Sequence, residues 1–594
     1  MFVQYFYTSL LRFLWLALIM AAPLAVGGNR IWAWSPLLIA TSLLCFIFII
    51  KYPRQRWQAV PFPGWLLIIF ALLSGWIILQ TTLPFSSAFI ASTSAALGEP
   101  IPGHMHWMPL EAWPQLARYL LYGLTFWLAW QWGHHRKHLY ALIKAVTIAG
   151  TAYVALAILD INYPWPTPEA DPQDISGPFI NGNTFAPYLG LVLVCNLSWL
   201  LHSWQHQISS SRPKHVLRRL NPTVAALILM LLLNWTALFL TGSRLGISTV
   251  ILCFSFLLLL SAQKYKKLAA LILGIFLLIA STIGTAVLHR FPTLVTDWQQ
   301  RQIIYQATWD GITDHPLTGT GLGSFRDVYF TYRPDVLEGV HSWWAHGGVY
   351  HAHSTHLENM LELGIPAFVL LASVFIWMGW MFSRHLHTTA GKRGLILLML
   401  PLIHTSMSMT LEAPGLVMVW LSLLATHLAY CRRHHQRRHI PHYKVLPLVL
   451  TCLSSGLYFW YNPQIYNKKN TVEYIKNRPH NPYLWTTLAE QALQNQNWRA
   501  LPKRTTLAIQ TGPGVPHLAI RRLRLGLQSW LLLTDAGKDL IARQTRIALF
   551  YQPAQTKALL QATSPLVQQQ LLQRLPPEIV QAILSPNEKN KPKP

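Results

Sequence analysis

The chain has 594 residues, of which 52% are hydrophobic and only 11% charged, with 26 tryptophans and a formal net charge of +26. Its mean hydropathy of +0.30 excludes a disordered chain and an ordinary soluble enzyme. The basic residues are split among short loops, which argues against nucleic acid as a partner, since that needs a continuous basic face.

Apolar runs of about 18 or more residues recur, each long enough to cross a hydrocarbon core about 30 Å thick. The sequence predicts an all-α, polytopic membrane protein of about 12–13 spans. They lie near 8–26, 33–50, 63–82, 116–133, 139–158, 184–202, 222–241, 245–262, 268–288, 363–382, 394–411, 414–430 and 445–461. The first resembles a signal peptide, but further spans follow at once, so it reads as a retained anchor. Every even-numbered span exits into a basic loop: Lys51, Arg54 and Arg56 follow the second, Arg212, Lys214, Arg218 and Arg219 the sixth, and Arg432, Arg433, Arg437, Arg438 and Lys444 the twelfth. The odd loops are poorer in Lys and Arg, and 159–174 carries Asp160, Glu169, Asp171 and Asp174. By the positive-inside bias the N-terminus is cytoplasmic, and the odd loops and the C-terminal tail are exterior. Cys45, Cys195, Cys253, Cys431 and Cys452 all fall in or beside spans, so no structural disulfide is expected.

The chain divides into membrane helices over 1–288, a large exterior loop with short helices over 289–362, further membrane helices over 363–462, and a soluble helical domain over 463–594. In the first part, 83–115 predicts an interfacial segment with a short helix. GPFINGNTFAPYLG (177–190) opens a span, and Asn181 and Asn183 either cap that helix or hold sugar hydroxyls. TGSRLG (241–246) sets Arg244 at the membrane edge, against the charge bias; it either snorkels to the interface or pairs with phosphate through its planar fork. In the large loop, VTDWQQRQIIYQATWDGITDHP has Ile303, Ile304, Ala307 and Ile312 at near-helical spacing, with Arg301 at a predicted helix start and Pro316 ending the pattern. Gly319, Gly321 and Gly323 then mark a tight turn; the strand and lysine of a nucleotide loop are missing.

YHAHSTHLENMLELGIP (350–366) gathers His351, His353, His356, Glu358 and Glu362 at the mouth of a span. Thr355 and Glu358 fit a capping box. His353 precedes that cap on a loop, where an ordinary histidine pKa would let it act as a general base. The rival readings are interfacial polar residues that solvate a helix start, or a metal site on His-x-His-x-x-His; no metal is expected, since three histidines around a helix start need not converge. In the tail, NPYLWTTLAEQALQNQNWRAL predicts an amphipathic helix with Trp485, Leu488, Ala489 and Ala492 on one face, followed by a second helix. Its start looks like one tetratricopeptide unit, without a second repeat at fixed period. Arg521, Arg522 and Arg524 form either a solvated face or a contact for an anionic lipid or glycan carrier.

Four of these pieces together resemble the O-antigen ligase and polymerase superfamily of bacterial envelope glycosyltransferases, over roughly 170–430. They are FINGNTFAPYL, TGSRLG, the arginine of RQII followed by HPLTGTGLGSF, and HAHSTHLENMLELGIP. Ser354 stands where the family commonly has Asn, and Ala367 where it often has Gly. The resemblance implies transfer of a glycan from undecaprenyl pyrophosphate to an acceptor hydroxyl outside the inner membrane, without metal, nucleotide or other cofactor. It implies that Arg244 and Arg301 hold the donor pyrophosphate, with Asn181 and Asn183 beside the donor. His353 would face the acceptor hydroxyl, with His351, Glu358, Tyr332 and Arg333 on the acceptor side. The implied partners are the lipid-linked glycan, the bilayer and the acceptor; the place is the bacterial inner membrane, with site and tail periplasmic. The leading acceptor is a saccharide, either lipid A–core or a growing glycan. The alternatives are a protein O-oligosaccharyltransferase and a flippase, which predicts inverted repeats not evident here; the tail points away from a minimal ligase, toward a polymerase-like or protein-glycosylating enzyme.

Overall fold

The computed structural model describes residues 2–51, 62–159, 175–210, 221–261, 294–336, 349–433, 445–461 and 471–585. Among the described residues the secondary structure is helical, apart from an isolated bridge between Pro84 and His104. The first helices are α1 (Phe2–Ala21), α2 (Ile31–Lys51), α3 (Gly64–Thr82) and a short α4 (Ala88–Leu97). α4 is capped by Ser87, whose Oγ accepts from the Ile90 N–H, and closes on left-handed Gly98. Then come α5 (Pro109–Trp132), α6 (Arg136–Ile158), α7 (Gly182–Ser210), α8 (Pro222–Leu240) and α9 (Arg244–Ser261). The large loop contributes α10 (Leu294–Asp314), α11 (Phe325–Tyr332) and α12 (Thr355–Leu363). The chain returns to the bundle with α13 (Ile365–Arg384), α14 (Thr389–His404), α15 (Pro414–Arg432) and α16 (Leu446–Tyr461).

Among the described residues eight helices are long and apolar enough to cross a membrane: α2, α3, α6, α7, α8, α9, α13 and α15. The protein is an all-helical, multi-pass membrane protein. Helices α1, α5, α14 and α16 stand at four more expected spans. The apolar part of α1 and of α16 is short, α5 carries Glu111 and Arg118, and α14 opens with Lys392 and Arg393. The span expected to reach 411 stops at His404 instead; the chain then turns back through a 3-10 turn at Thr410–Glu412. The span expected near 268–288 lies outside the described residues.

α7 and α15 lie deepest, with 94% of each apolar window buried. Both are apolar around their whole circumference, as a helix enclosed by other helices must be. α14 packs against α7, α13 and α15, and so ties the two parts of the bundle together. Small residues allow this approach: a β-carbon at Gly190 of α7 would meet Leu400 of α14 at 2.7 Å. The five cysteines are buried free thiols.

Above one end of the bundle, α10, α11 and α12 share a small core of Ile304, Ala307, Phe325, Val328, Tyr329 and Leu361. Of the apolar positions expected on α10, Ile304, Ala307 and Ile312 are buried there, while Ile303 is only partly buried. The tail begins with α17 (Thr471–Asn477) and continues as two hairpins, α18 (Pro482–Gln494) with α19 (Leu501–Gln510) and α20 (Pro516–Gln528) with α21 (Asp535–Tyr551). Trp485, Leu488, Ala489 and Ala492 face inward, as their spacing requires. The basic run is not a single surface: Arg522 is fully buried, donating to the Gly512 carbonyl at 2.7 Å, and burial pushes its pKa down to about 9. Arg521 forms a two-point pair with Glu490.

Candidate functional site

Helix α12 begins one residue earlier than the capping-box pattern suggests. Ser354 is the cap, its Oγ accepting from the Leu357 N–H, so Thr355 is already helical and Glu358 lies beyond the third helical position. Glu358 therefore closes no box. Its Oε1 meets His351 Nδ1 at 2.8 Å, and its Oε2 accepts from the Ala352 N–H at 2.9 Å. Serine suits this position because it is a strong N-cap.

The loop before the cap is bent sharply. His353 has φ +52°, a left-handed backbone that a residue with a β-carbon seldom adopts. Its carbonyl accepts from the Tyr305 hydroxyl of α10 at 3.3 Å. One turn earlier on α10, Arg301 donates from Nη1 to the Met407 carbonyl at 2.5 Å. One turn before that, Asp297 pairs with Arg244 Nη1 at 3.4 Å. Residues 297, 301 and 305 share a helix face because they are four apart. That stripe ties together the start of α9, the turn after α14 and the loop carrying His353. Arg244 occupies the first turn of α9, where a cation opposes the helix dipole. Asp297 offsets this, so the residue does more than snorkel.

The three histidines diverge. His351 turns to Glu358, His353 faces the charge of Arg301, and His356 Nε2 reaches the Leu402 carbonyl at 3.1 Å. His353 does not keep an ordinary histidine pKa: burial, then Arg301 and His351, push it down to about 3, so it is neutral near pH 7. His351 moves the other way. Burial opposes its charge, but Glu358 and then Glu412 overcome this and raise it to about 9. Glu412 is held low: burial opposes its charge, and Arg118 and His351 prevail. His351, Glu358 and Glu412 offer ligand atoms within 4.8 Å of one another and could in principle hold a cation. Arg118 already binds Glu412 at 3.0 Å, and His351 carries the proton that answers Glu358, so the cluster is compensated from within.

Glu362 serves a different purpose from Glu358. Its Oε1 accepts from the Phe325 N–H at 2.9 Å, and its carbonyl from the Gly321 N–H. Burial, then Glu358, push its carboxyl pKa up. Gly319, Gly321 and Gly323 all have positive φ, and a β-carbon at Gly319 would lie 2.4 Å from the Glu362 carbonyl oxygen. The G-x-G-x-G is thus a turn seated on the end of α12.

Other anticipated residues lie further out. Asn181 caps α7, its Oδ1 accepting from the Thr184 N–H at 2.9 Å, and Asn183 is exposed; the loop abuts Thr241, near Arg244. Tyr332 donates its hydroxyl to Asp314 at 2.8 Å. Arg333 is 2% exposed and packs over Tyr329. The sequence reading overlooked Asp297, although it stands one turn before Arg301. It also overlooked Arg118 and Glu412, isolated charges in apolar surroundings, which are the signal that would have found them. Both line an apolar cavity of about 650 Å³ between α3, α5, α13, α15 and α16, which His356 and Asn359 also line.

No curated protein matches the chain. Residues 226–372, which run from α8 into α13 and contain Arg244, Arg301, His353 and Glu362, match a family model described as O-antigen ligase.

Proposed function

We propose that this protein transfers a glycan from undecaprenyl pyrophosphate to an acceptor hydroxyl on a saccharide, at the periplasmic face of the inner membrane. The observation that carries this reading is the convergence of Arg244, Arg301 and His353 from three separate elements onto one stripe of α10. In the reaction the acceptor oxygen attacks the anomeric carbon and the bond to the pyrophosphate oxygen breaks. The proton passes to neutral His353, and undecaprenyl pyrophosphate leaves with the electron pair. Arg244 and Arg301 stabilise the charge that develops on the leaving oxygen. Bound pyrophosphate beside His353 raises its affinity for a proton as the bond breaks. Direct displacement inverts the anomeric carbon. The apolar cavity suits part of the polyprenyl chain, and its volume lies within the range of about 300–1,000 Å³ common for ligand pockets. A protein hydroxyl is the second reading, favoured by the stacked hairpins of the tail beside α11.

The test is a purified full-length protein given a lipid-pyrophosphate oligosaccharide, with acceptors offered separately. Elongated lipid-linked product or glycosylated lipid A–core supports the saccharide reading; glycopeptide alone replaces it with the second. No transfer to any acceptor refutes both.

The charges also predict a pH profile. Activity per donor should show no inflection near 6.5, the ordinary histidine value, because His353 stays neutral down to about 3. It should fall above about 9, where His351 loses its proton and its pair with Glu358. The stability from that pair is complete below pH 6.5 and is lost as pH rises through about 9. An inflection near 6.5 that disappears in His353→Gln would contradict this account.

A further inference from the structure

Helix α11 has two faces with different loyalties. Phe325, Val328 and Tyr329 face α10 and the loop before α12, meeting Ile304, Val349, Ala352 and Leu361 in one core. Asp327, Phe330 and Thr331 face the tail. Phe330 packs with Val515 and Leu518, and Thr331 Oγ1 donates to the Thr511 carbonyl at 3.2 Å. At this seam lies Asp327, with no exposed surface. Burial pushes its carboxyl pKa up, against the pull of Arg478 and Arg326. Its Oδ1 accepts from Arg478 Nη2 at 3.5 Å and from Asn481 Nδ2 at 3.4 Å.

Arg478 comes from the tail, just after α17, and its fork is spread across three elements. Nη1 donates to Tyr474 at 2.9 Å and lies 3.7 Å from Glu111 at the start of α5, while Nη2 reaches Asp327. The adjoining His480 is inserted between two rings: its centroid is 4.0 Å from that of Phe89 and 3.7 Å from that of Trp107, nearly parallel to both. The Trp107 N–H in turn donates to the Thr320 carbonyl in the glycine turn. Asn481 caps α18 through Oδ1 while its Nδ2 holds Asp327. Three near-consecutive residues of the tail thus grip both sides of the segment that Glu362 anchors.

We propose that the tail is a working part of the transfer site, and that Arg478 is a positioning residue that sets α11 and through it the spacing between Arg301 and His353. The path is continuous. Arg478 fixes Asp327. Two residues back, the Phe325 N–H is held by Glu362 of α12, and the opposite face of α11 wedges α10 against Ala352, next to His353. A charge pair with its carboxylate fully buried suits this use, because it specifies one arrangement and is costly to leave half-made. The proposal rests on the glycan-transfer reading only for its kinetic readout.

The experiment uses the full chain in detergent and compares Arg478→Met, Arg478→Lys and the double variant Arg478→Met/Asp327→Asn. In Arg478→Met, turnover at saturating donor should fall by about 100-fold, the size of effect expected from a displacement of about 1 Å at the reacting groups. The KM for donor should stay within about threefold, since the pyrophosphate-binding arginines remain. Backbone hydrogen exchange should quicken over 349–363 and not over the membrane helices. The double variant leaves no orphaned carboxylate and should recover turnover to within about tenfold of the parent; Arg478→Lys should fall between. Unchanged turnover and exchange in Arg478→Met would overturn the proposal, and so would exchange that rises uniformly across the chain, which marks general unfolding. A parent protein that transfers nothing, while Arg478→Met still loosens 349–363 selectively, would refute the glycan-transfer reading and leave the latch standing.

Discussion

His353→Ala is expected to reduce glycan transfer by about 10²–10⁴-fold at saturating donor, the usual contribution of a positioned general base, with membrane insertion and thermal midpoint little changed. The change removes the imidazole and keeps a β-carbon at φ +52°, so backbone strain is the same before and after. The loop is held by bonds that do not involve the ring: the His353 carbonyl accepts from Tyr305, and Ala352 donates to Glu358. His353→Asn separates the roles further, because asparagine tolerates left-handed backbone yet is no base. Both variants should lose turnover alike. A rate near the parent value in either, measured as product per folded protein, would remove His353 from the reaction.

Arginine loss is the second large effect. Arg301→Ala should cost about 10²–10³-fold in turnover, as removal of one donor to a developing oxyanion commonly does. Arg301→Lys should recover little, since a point charge on a flexible stem cannot replace a fork that also holds the Met407 carbonyl. There is an independent signature. Arg301 is one cause of the low His353 pKa, so its removal should move the acid limb of the pH profile upward. Arg244→Ala should be nearly as damaging to turnover without moving that limb, because its partner is Asp297. If the acid limb stayed in place in Arg301→Ala, the electrostatic link between α10 and the histidine loop would be wrong, whatever the rate.

Much of this architecture was readable before any coordinates. Long apolar runs can be satisfied only as membrane helices, and the inward faces of α10 and α18 follow from helical spacing. The glycines at 319, 321 and 323 read as a turn because their conformations are open to few other residues. The errors have local physical causes. Ser354 and Thr355 are both capable caps, and only the contact of Thr355 with the Thr405 carbonyl and Ser408 draws it into the helix.

The sequence by itself determined that this chain crosses a membrane many times and where the long connections between its apolar runs lie, and it pointed to Arg244, Arg301 and His353 while passing over Asp297, Arg118 and Glu412. Tertiary structure alone decided which of those residues meet, since Arg244, Asp297, Arg301 and His353 come together only through the packing of α9, α10 and the loop before α12. It also decided their protonation. Two histidines two residues apart lie on opposite sides of neutrality because both are buried, but one faces a carboxylate that outweighs burial and the other an arginine that adds to it. Such partners are set by distances across the fold, and distance along the chain does not encode them.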